Sequence, residues 1–254
     1  MALAVVVVAI AVFVVAQSGG SDGGPLNAIA KAAEVTQREP GGHATIEATV
    51  TSSTSPEGIT EHGSMIFDSD GRAEGTLTVR GLTTGKEFEL TTIADGTESY
   101  TTSDDLDSFP EGKKWLKLDL SSVKTKGLDS SASTESNPQE GLKVLEGVED
   151  AKKIGEQEID GVPTTHYAGA FPVAEEVFGI KVHSSARHVD VWIDAQDRVR
   201  RTQFALTATA NDEGPITTEM TIDYLDFGRV PKIEVPAADE VFDVTGEIEA
   251  QVIH

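Results

Sequence analysis

The sequence predicts an α+β fold, one large antiparallel sheet with short helices against one of its faces. Three observations point to it. Apolar and polar residues alternate in about ten successive short segments, the period of strands with one wet face. Turn-forming residues, drawn in part from 24 glycines and 10 prolines in 254 residues, separate those segments. Only two or three stretches switch to the helical period. An antiparallel sheet of this size must curl or close, and two short helices leave room for a cavity on its concave side.

Residues 2–16 contain no polar side chain, and about 15 helical residues span only about 22 Å, short of a bilayer core. That matches the apolar part of a signal peptide, with cleavage after Ala16, although no Lys or Arg precedes it. Export follows, with the segment either removed or kept as a short anchor. Residues 17–24 read as a Gly/Ser tether, and 25–254 as a single domain.

Pro25 opens a helix with Leu26, Ile29, Ala30 and Ala33 on one stripe, ending before Pro40-Gly41-Gly42. A strand with Ile46, Ala48 and Val50 on one face follows. Met65 and Phe67 lead into the turn at Asp68-Ser69-Asp70-Gly71; Leu77 with Val79 and Phe88 with Leu90 continue a meander that turns at Asp95-Gly96. Tyr100 and then Leu116, Leu118 and Leu120 extend it. Residues 121–140 have few large apolar side chains and read as a mobile surface loop that could act as a lid. A second helix is expected from Pro138 to near Gly155, carrying Leu142, Leu145 and Val148 onto the sheet. Strands resume at 157–159 and 165–167, a short helical piece is expected around 172–178, and the last antiparallel set carries Val189, Val191 and Ile193; Phe204, Leu206 and Ala208; and Met220, Ile222 and Tyr224.

Composition closes off several functions. With 20 Lys+Arg against 43 Asp+Glu and a net charge of −23, the surface repels a phosphate backbone, so nucleic acid is not a partner. The absence of cysteine excludes disulfides, thiol catalysis, zinc–thiolate sites and thioether-linked lipid. No nucleophile elbow, zincin helix or phosphate loop occurs, so no catalytic residues, metal ligands or cofactors are predicted. The six histidines lack ligand spacing, Asp68-x-Asp70-Gly71 fits a hairpin better than a calcium loop, and Trp115 and Trp192, out of phase with the apolar residues, belong on the outer surface or a strand edge. What remains is an apolar set on one sheet face: Ile46, Val50, Phe67, Leu77, Val79, Phe88, Leu90, Val191, Ile193, Phe204, Leu206, Met220 and Ile222. These residues line either a ligand cavity or an ordinary core.

Five stretches in a fixed order carry a family resemblance: residues 110–120 (PEGKKWLKLDL), 138–155, 161–167 (GVPTTHY), 191–194 (VWID), and Phe227-Gly228 through Val235-Pro236. Together they resemble the actinobacterial envelope lipoproteins of the LppX and LprG type over roughly residues 25–243. The resemblance implies a LolA-like fold, a strongly curved antiparallel half-barrel with helices across its concave side around a hydrophobic cavity. It also implies a carrier of acyl chains rather than an enzyme. The family is lipidated on a cysteine after the signal sequence, where this chain has Ala16-Gln17-Ser18-Gly19.

The expectation is therefore an exported, monomeric, non-enzymatic carrier of lipid or glycolipid acyl chains, lodged in the cell envelope, secreted, or anchored by residues 2–16. A membrane transporter or the envelope membrane would be its further partners. The alternative is a structural or protein-interaction envelope domain whose core is packed and free of ligand.

Overall fold

A computed structural model describes residues 24–52, 55–81, 87–104, 109–110, 112–119, 121, 125–126, 137–171, 173, 176–177, 180–210 and 214–246. The expected signal segment and tether lie outside the described residues, apart from Gly24.

Helix α1 spans Pro25–Gln37. Proline at its start lacks an N–H that would have no partner there, and the buried stripe Ile29, Ala32, Ala33 and Thr36 keeps the helical period. Strands β1 (Gly41–Ser52), β2 (Ser55–Asp68), β3 (Arg72–Arg80), β4 (Glu87–Asp95), β5 (Glu98–Thr102) and β6 (Trp115–Asp119) form the expected meander. The strands β7 (Thr125–Lys126), β8 (Glu149–Ile159), β9 (Val162–Ala170), β10 (Glu176–Val177), β11 (Ile180–Asp194), β12 (Val199–Ala210), β13 (Ile216–Phe227) and β14 (Val241–Asp243) follow, with a 3-10 helix at Glu140–Gly147. All belong to one sheet, ordered β14-β6-β5-β4-β3-β2-β1-β13-β12-β11-β10-β7, with β9 on β11 and β8 on β9.

Several expectations are corrected. The predicted strongly curved half-barrel is instead an open, sheet-rich α+β fold that is neither closed nor strongly curved. Its ends find other partners: β6 takes β14 as a parallel neighbour, while β11 takes β9 along one part of its length and β10, followed by β7, along another. Edge groups paired in this way need no closure. The second helix is a single 3-10 stretch, because from Glu149 onward the chain pairs with β9 as a strand. Of the segment expected to be helical at 172–178, residues 176–177 form β10. Most of the expected lid falls outside the described residues, yet Asn137, Pro138 and Gln139 at its end are buried. Trp192 is also buried; its ring stacks on His166 and its indole N–H donates to Gln157 across the sheet.

The hairpin from β2 to β3 turns as expected. One Asp68 carboxylate oxygen accepts from the backbone N–H groups of Asp70 and Arg72, and Gly71 adopts a positive φ of 82°. The other oxygen accepts from the backbone N–H of Ile233. This ties down a strap, residues 228–240, which leaves β13 in mid-sheet and crosses to the β6 edge, where β14 pairs. Ile233 packs with Ile93 and Tyr100 to make a second, smaller core, with Trp115, Val235 and Val241 at its margin.

Gly63 marks a close approach of β2 to β3. A Cβ there would lie 2.1 Å from the Thr76 carbonyl oxygen and 2.7 Å from a Leu77 methyl. Gly63→Ala is therefore expected to cost about 1–3 kcal/mol, read as a lower urea midpoint; an unchanged midpoint would show that the strands part freely at that point.

The inner sheet face as candidate functional site

Strand register places the predicted residues on one face. One row runs Phe88, Val79, Glu61, Ala48, Met220, Phe204 and Val189 across β4, β3, β2, β1, β13, β12 and β11. The next runs Leu90, Leu77, Gly63, Ile46, Ile222, Thr202 and Val191. Val50 and Leu206 flank these rows through Thr218, and Phe67 lies toward the helices.

Phe67, Val191, Ile193, Phe204 and Ile222 join one packed cluster with Ile29, Ala32 and Ala33 of α1 and with Leu142, Leu145 and Val148 at the 3-10 helix. Ile46, Leu206 and Met220 pack against its margin. Leu77, Val79 and Leu90 are buried, whereas Val50 and Phe88 are half-buried. Ring contacts knit the interior, Phe171 meeting Phe204 edge-on at 5.5 Å and Phe67 meeting Tyr224 at 6.4 Å.

Polar groups fix the helices to the sheet. The Thr36 hydroxyl donates to Ala32 within α1 and accepts the backbone N–H of Val199 at 2.8 Å. The Gln139 amide donates to the carbonyls of Thr36 and Glu39, satisfying the C-terminal end of α1. The Tyr224 hydroxyl donates to the Pro138 carbonyl at 2.7 Å, and burial holds its pKa far above the ordinary phenol value. With Tyr224, Phe67, Ile29, Leu142 and Leu145 all fully buried, the volume between helices and sheet is occupied by side chains. The expected acyl-chain cavity is not formed, because these residues fill the space that a lipid tail would take.

Glu61, which sequence reasoning missed, is the chemical exception on this face. It is 8% exposed between Ala48 and Val79, and burial pushes its carboxyl up to about 7. The signal was present: position 61 is in phase with Met65 and Phe67. Among the described residues no group of His, Asp and Glu could hold a metal ion. A surface depression lies elsewhere, between Pro40, Asp68, Asp70, Arg229 and Lys232, and its walls are polar.

The LppX_LprAFG lipoprotein model matches residues 25–227. The chain belongs to this lipoprotein family. It is 28% identical over 156 residues to an uncharacterised 31.2 kDa protein of Streptomyces griseus, covering 52% of this chain and 48% of that protein. A Streptomyces coelicolor protein named for a lipoprotein is 29% identical over 143 residues, covering 52% of this chain and 45% of that one. The chain thus spans about half the length of the curated relatives it matches. The crystal structure of Mycobacterium tuberculosis lipoprotein LppX superposes with a TM-score of 0.51 at 17% identity, covering 84% of this chain and all of that one, which establishes likeness of fold. Family membership bears out the resemblance read from the sequence, and the 254 residues contain no cysteine. It belongs with the exported envelope proteins and is non-enzymatic. No described helix is long and apolar enough to cross a membrane.

Proposed function

We propose that the protein is a structural or protein-interaction domain of the cell envelope, acting through its surface around a packed core. The observation that carries this reading is the filled volume between α1, the 3-10 helix and the sheet, where Ile29, Phe67, Leu142, Leu145 and Tyr224 are fully buried. A ligand entering there would have to displace packed side chains, losing dispersion contacts and apolar burial together. Under the same proposal residues 2–16 direct export and are then cleaved or kept as an anchor, and 25–254 form one monomeric domain.

Membership of a lipoprotein family makes lipids and glycolipids the ligands to test first. Native mass spectrometry of protein purified from an actinobacterial host is expected to give the mass of the polypeptide alone. An acyl lipid present at about one per chain would overturn the reading. Fractionation of a tagged full-length protein checks the address, and material confined to the cytosol would contradict export.

A further inference from the structure

We infer that the surface depression between the β2–β3 turn and the strap binds a small zwitterion, a phosphate ester carrying a primary amine on a short link, as in phosphoethanolamine. The site lies outside the packed interior and goes beyond the structural or interaction role proposed above. Three chain segments meet there. Gly41 at the start of β1 stands opposite Asp68 at the end of β2, and Gly42 stands opposite Phe227 at the end of β13. Pro40, the turn residues Ser69 and Asp70, and the strap residues Arg229, Val230 and Lys232 therefore wall one depression of about 360 Å³.

The walls are fixed without a ligand. Asp68 commits both carboxylate oxygens to backbone N–H groups, those of Asp70 and Arg72 on one and that of Ile233 on the other. The Arg72 guanidinium donates to the Ile233 carbonyl at 3.1 Å, and the Gly228 N–H donates to the Gly41 carbonyl at 2.9 Å. Turn and strap thus keep a set separation, and a ligand between them does not have to order either one.

The groups left uncommitted define the ligand. Arg229 is exposed and has no hydrogen-bond or ion-pair partner among the described residues, in a chain with 43 Asp+Glu to 20 Lys+Arg. Lys232 and Asp70 stand 3.7 Å apart, too far for a hydrogen bond, and their side chains are 62% and 54% exposed. So open a pair contributes little stability, and a ligand can part it at little cost. With the Ser69 hydroxyl, the lining offers three kinds of donor, guanidinium, ammonium and hydroxyl, which suits the several oxygens of a phosphate better than the two of a carboxylate. Asp70 is the acceptor that remains, and it suits an ammonium. Because Lys232 and Asp70 are neighbours, the ligand's own opposite charges must be neighbours too. A plain anion would leave Asp70 unanswered and a plain amine would face Arg229, so the mixed lining selects against both. Pro40 and Val230 supply an apolar stretch of wall for the short alkyl link.

The test follows backbone amide shifts of isotope-labelled full-length protein titrated with phosphoethanolamine, inorganic phosphate, ethanolamine and phosphocholine. Phosphoethanolamine is expected to shift the amides of Ser69, Asp70, Arg229 and Lys232 and to bind at least about tenfold more tightly than phosphate or ethanolamine, the worth of one charge-assisted hydrogen bond. Phosphocholine, whose quaternary nitrogen has no N–H to donate, should bind more weakly. Arg229→Ser should abolish phosphoethanolamine binding, and Asp70→Asn should erase its advantage over phosphocholine; both side chains are exposed, so the fold is not at stake. Equal affinity for phosphoethanolamine and inorganic phosphate, shifts confined to other residues, or binding that survives Arg229→Ser would overturn the proposal. Co-sedimentation with phosphatidylethanolamine vesicles that Arg229→Ser removes would support it with a membrane headgroup as the source; soluble binding without co-sedimentation would support it with a free ester. An acyl lipid carried inside the purified protein would overturn the packed-domain reading and leave this surface site standing.

Discussion

Asp194→Ala is expected to be the most damaging single substitution on the sheet, costing about 3 kcal/mol because two partly buried guanidinium groups would lose the carboxylate they share. Asp194 accepts from the side chains of Arg198 and Arg200 and from the backbone N–H groups of Gln196 and Arg198, and its side chain is fully buried. Burial alone would raise its pKa. The hydrogen bonds from Arg198, Arg200 and Gln196 outweigh burial and hold the carboxyl below the ordinary value of 3.8. A carboxylate depressed in the folded state contributes stability that is present above the unfolded pKa and is lost as pH falls through the folded one. The Asp194→Ala penalty should therefore be full at pH 7 and shrink below about pH 4. Urea unfolding at several pH values checks this, and a penalty that stays constant down to pH 2 would remove the ionic explanation.

Glu61 works with the opposite sign. Its folded carboxyl titrates at about 7 against an ordinary 4.5. Below pH 4.5 the group is protonated in both states and costs nothing through ionisation. Between the two values the unfolded chain releases a proton that the folded chain keeps, so stability falls as pH rises, and above pH 7 the penalty levels off at about 3 kcal/mol. On the described strands its same-face neighbours are Ala48, Ile46 and Val50 of β1 and Leu77 and Val79 of β3, none of which titrates. Glu61→Leu should therefore stabilise the protein by about 3 kcal/mol at pH 8 and much less at pH 4. An equal gain at both pH values would show that the carboxyl stays charged or is solvated.

The inner face was legible because period-two alternation fixes which side chains share a face, and the rows across β1 to β4 and β11 to β13 keep that period. Phe67, Leu77, Leu90, Phe204 and Ile222 needed no structure to be placed together. What the alternation cannot report is how much volume the opposing layer fills. The space was assigned to a ligand, whereas Tyr224, Phe171 and the helix residues Leu142 and Leu145 occupy it. Trp192 was misplaced for a related reason. Its outward phase was read correctly, but His166 stacks over its ring at 4.3 Å and Gln157 accepts from its indole, so an outward-facing residue becomes buried by neighbours that pattern alone does not reveal. The β8 strand was missed before Gln157 because its residues are charged and mostly exposed on both faces, the composition of a protected sheet edge. The Pro138-to-Gly155 helix was overextended into that same strand.

The strap from β13 to β6 bears on the order in which the chain is assembled. The backbone N–H of Asp119 in β6 is satisfied by the Thr245 hydroxyl, 126 positions later in sequence, and β14 is a parallel neighbour that no hairpin can deliver. Loop closure over that separation carries a larger entropic cost than any hairpin from β1 to β5, so these contacts form after the meander is in place. A chain emerging from the ribosome, or threading through an export channel, exposes the β6 edge until residues 241–245 are available. During that interval a foreign strand competes with β14 for the same backbone groups, which makes delivery of the C-terminal segment the step that commits this domain to a single-chain fold.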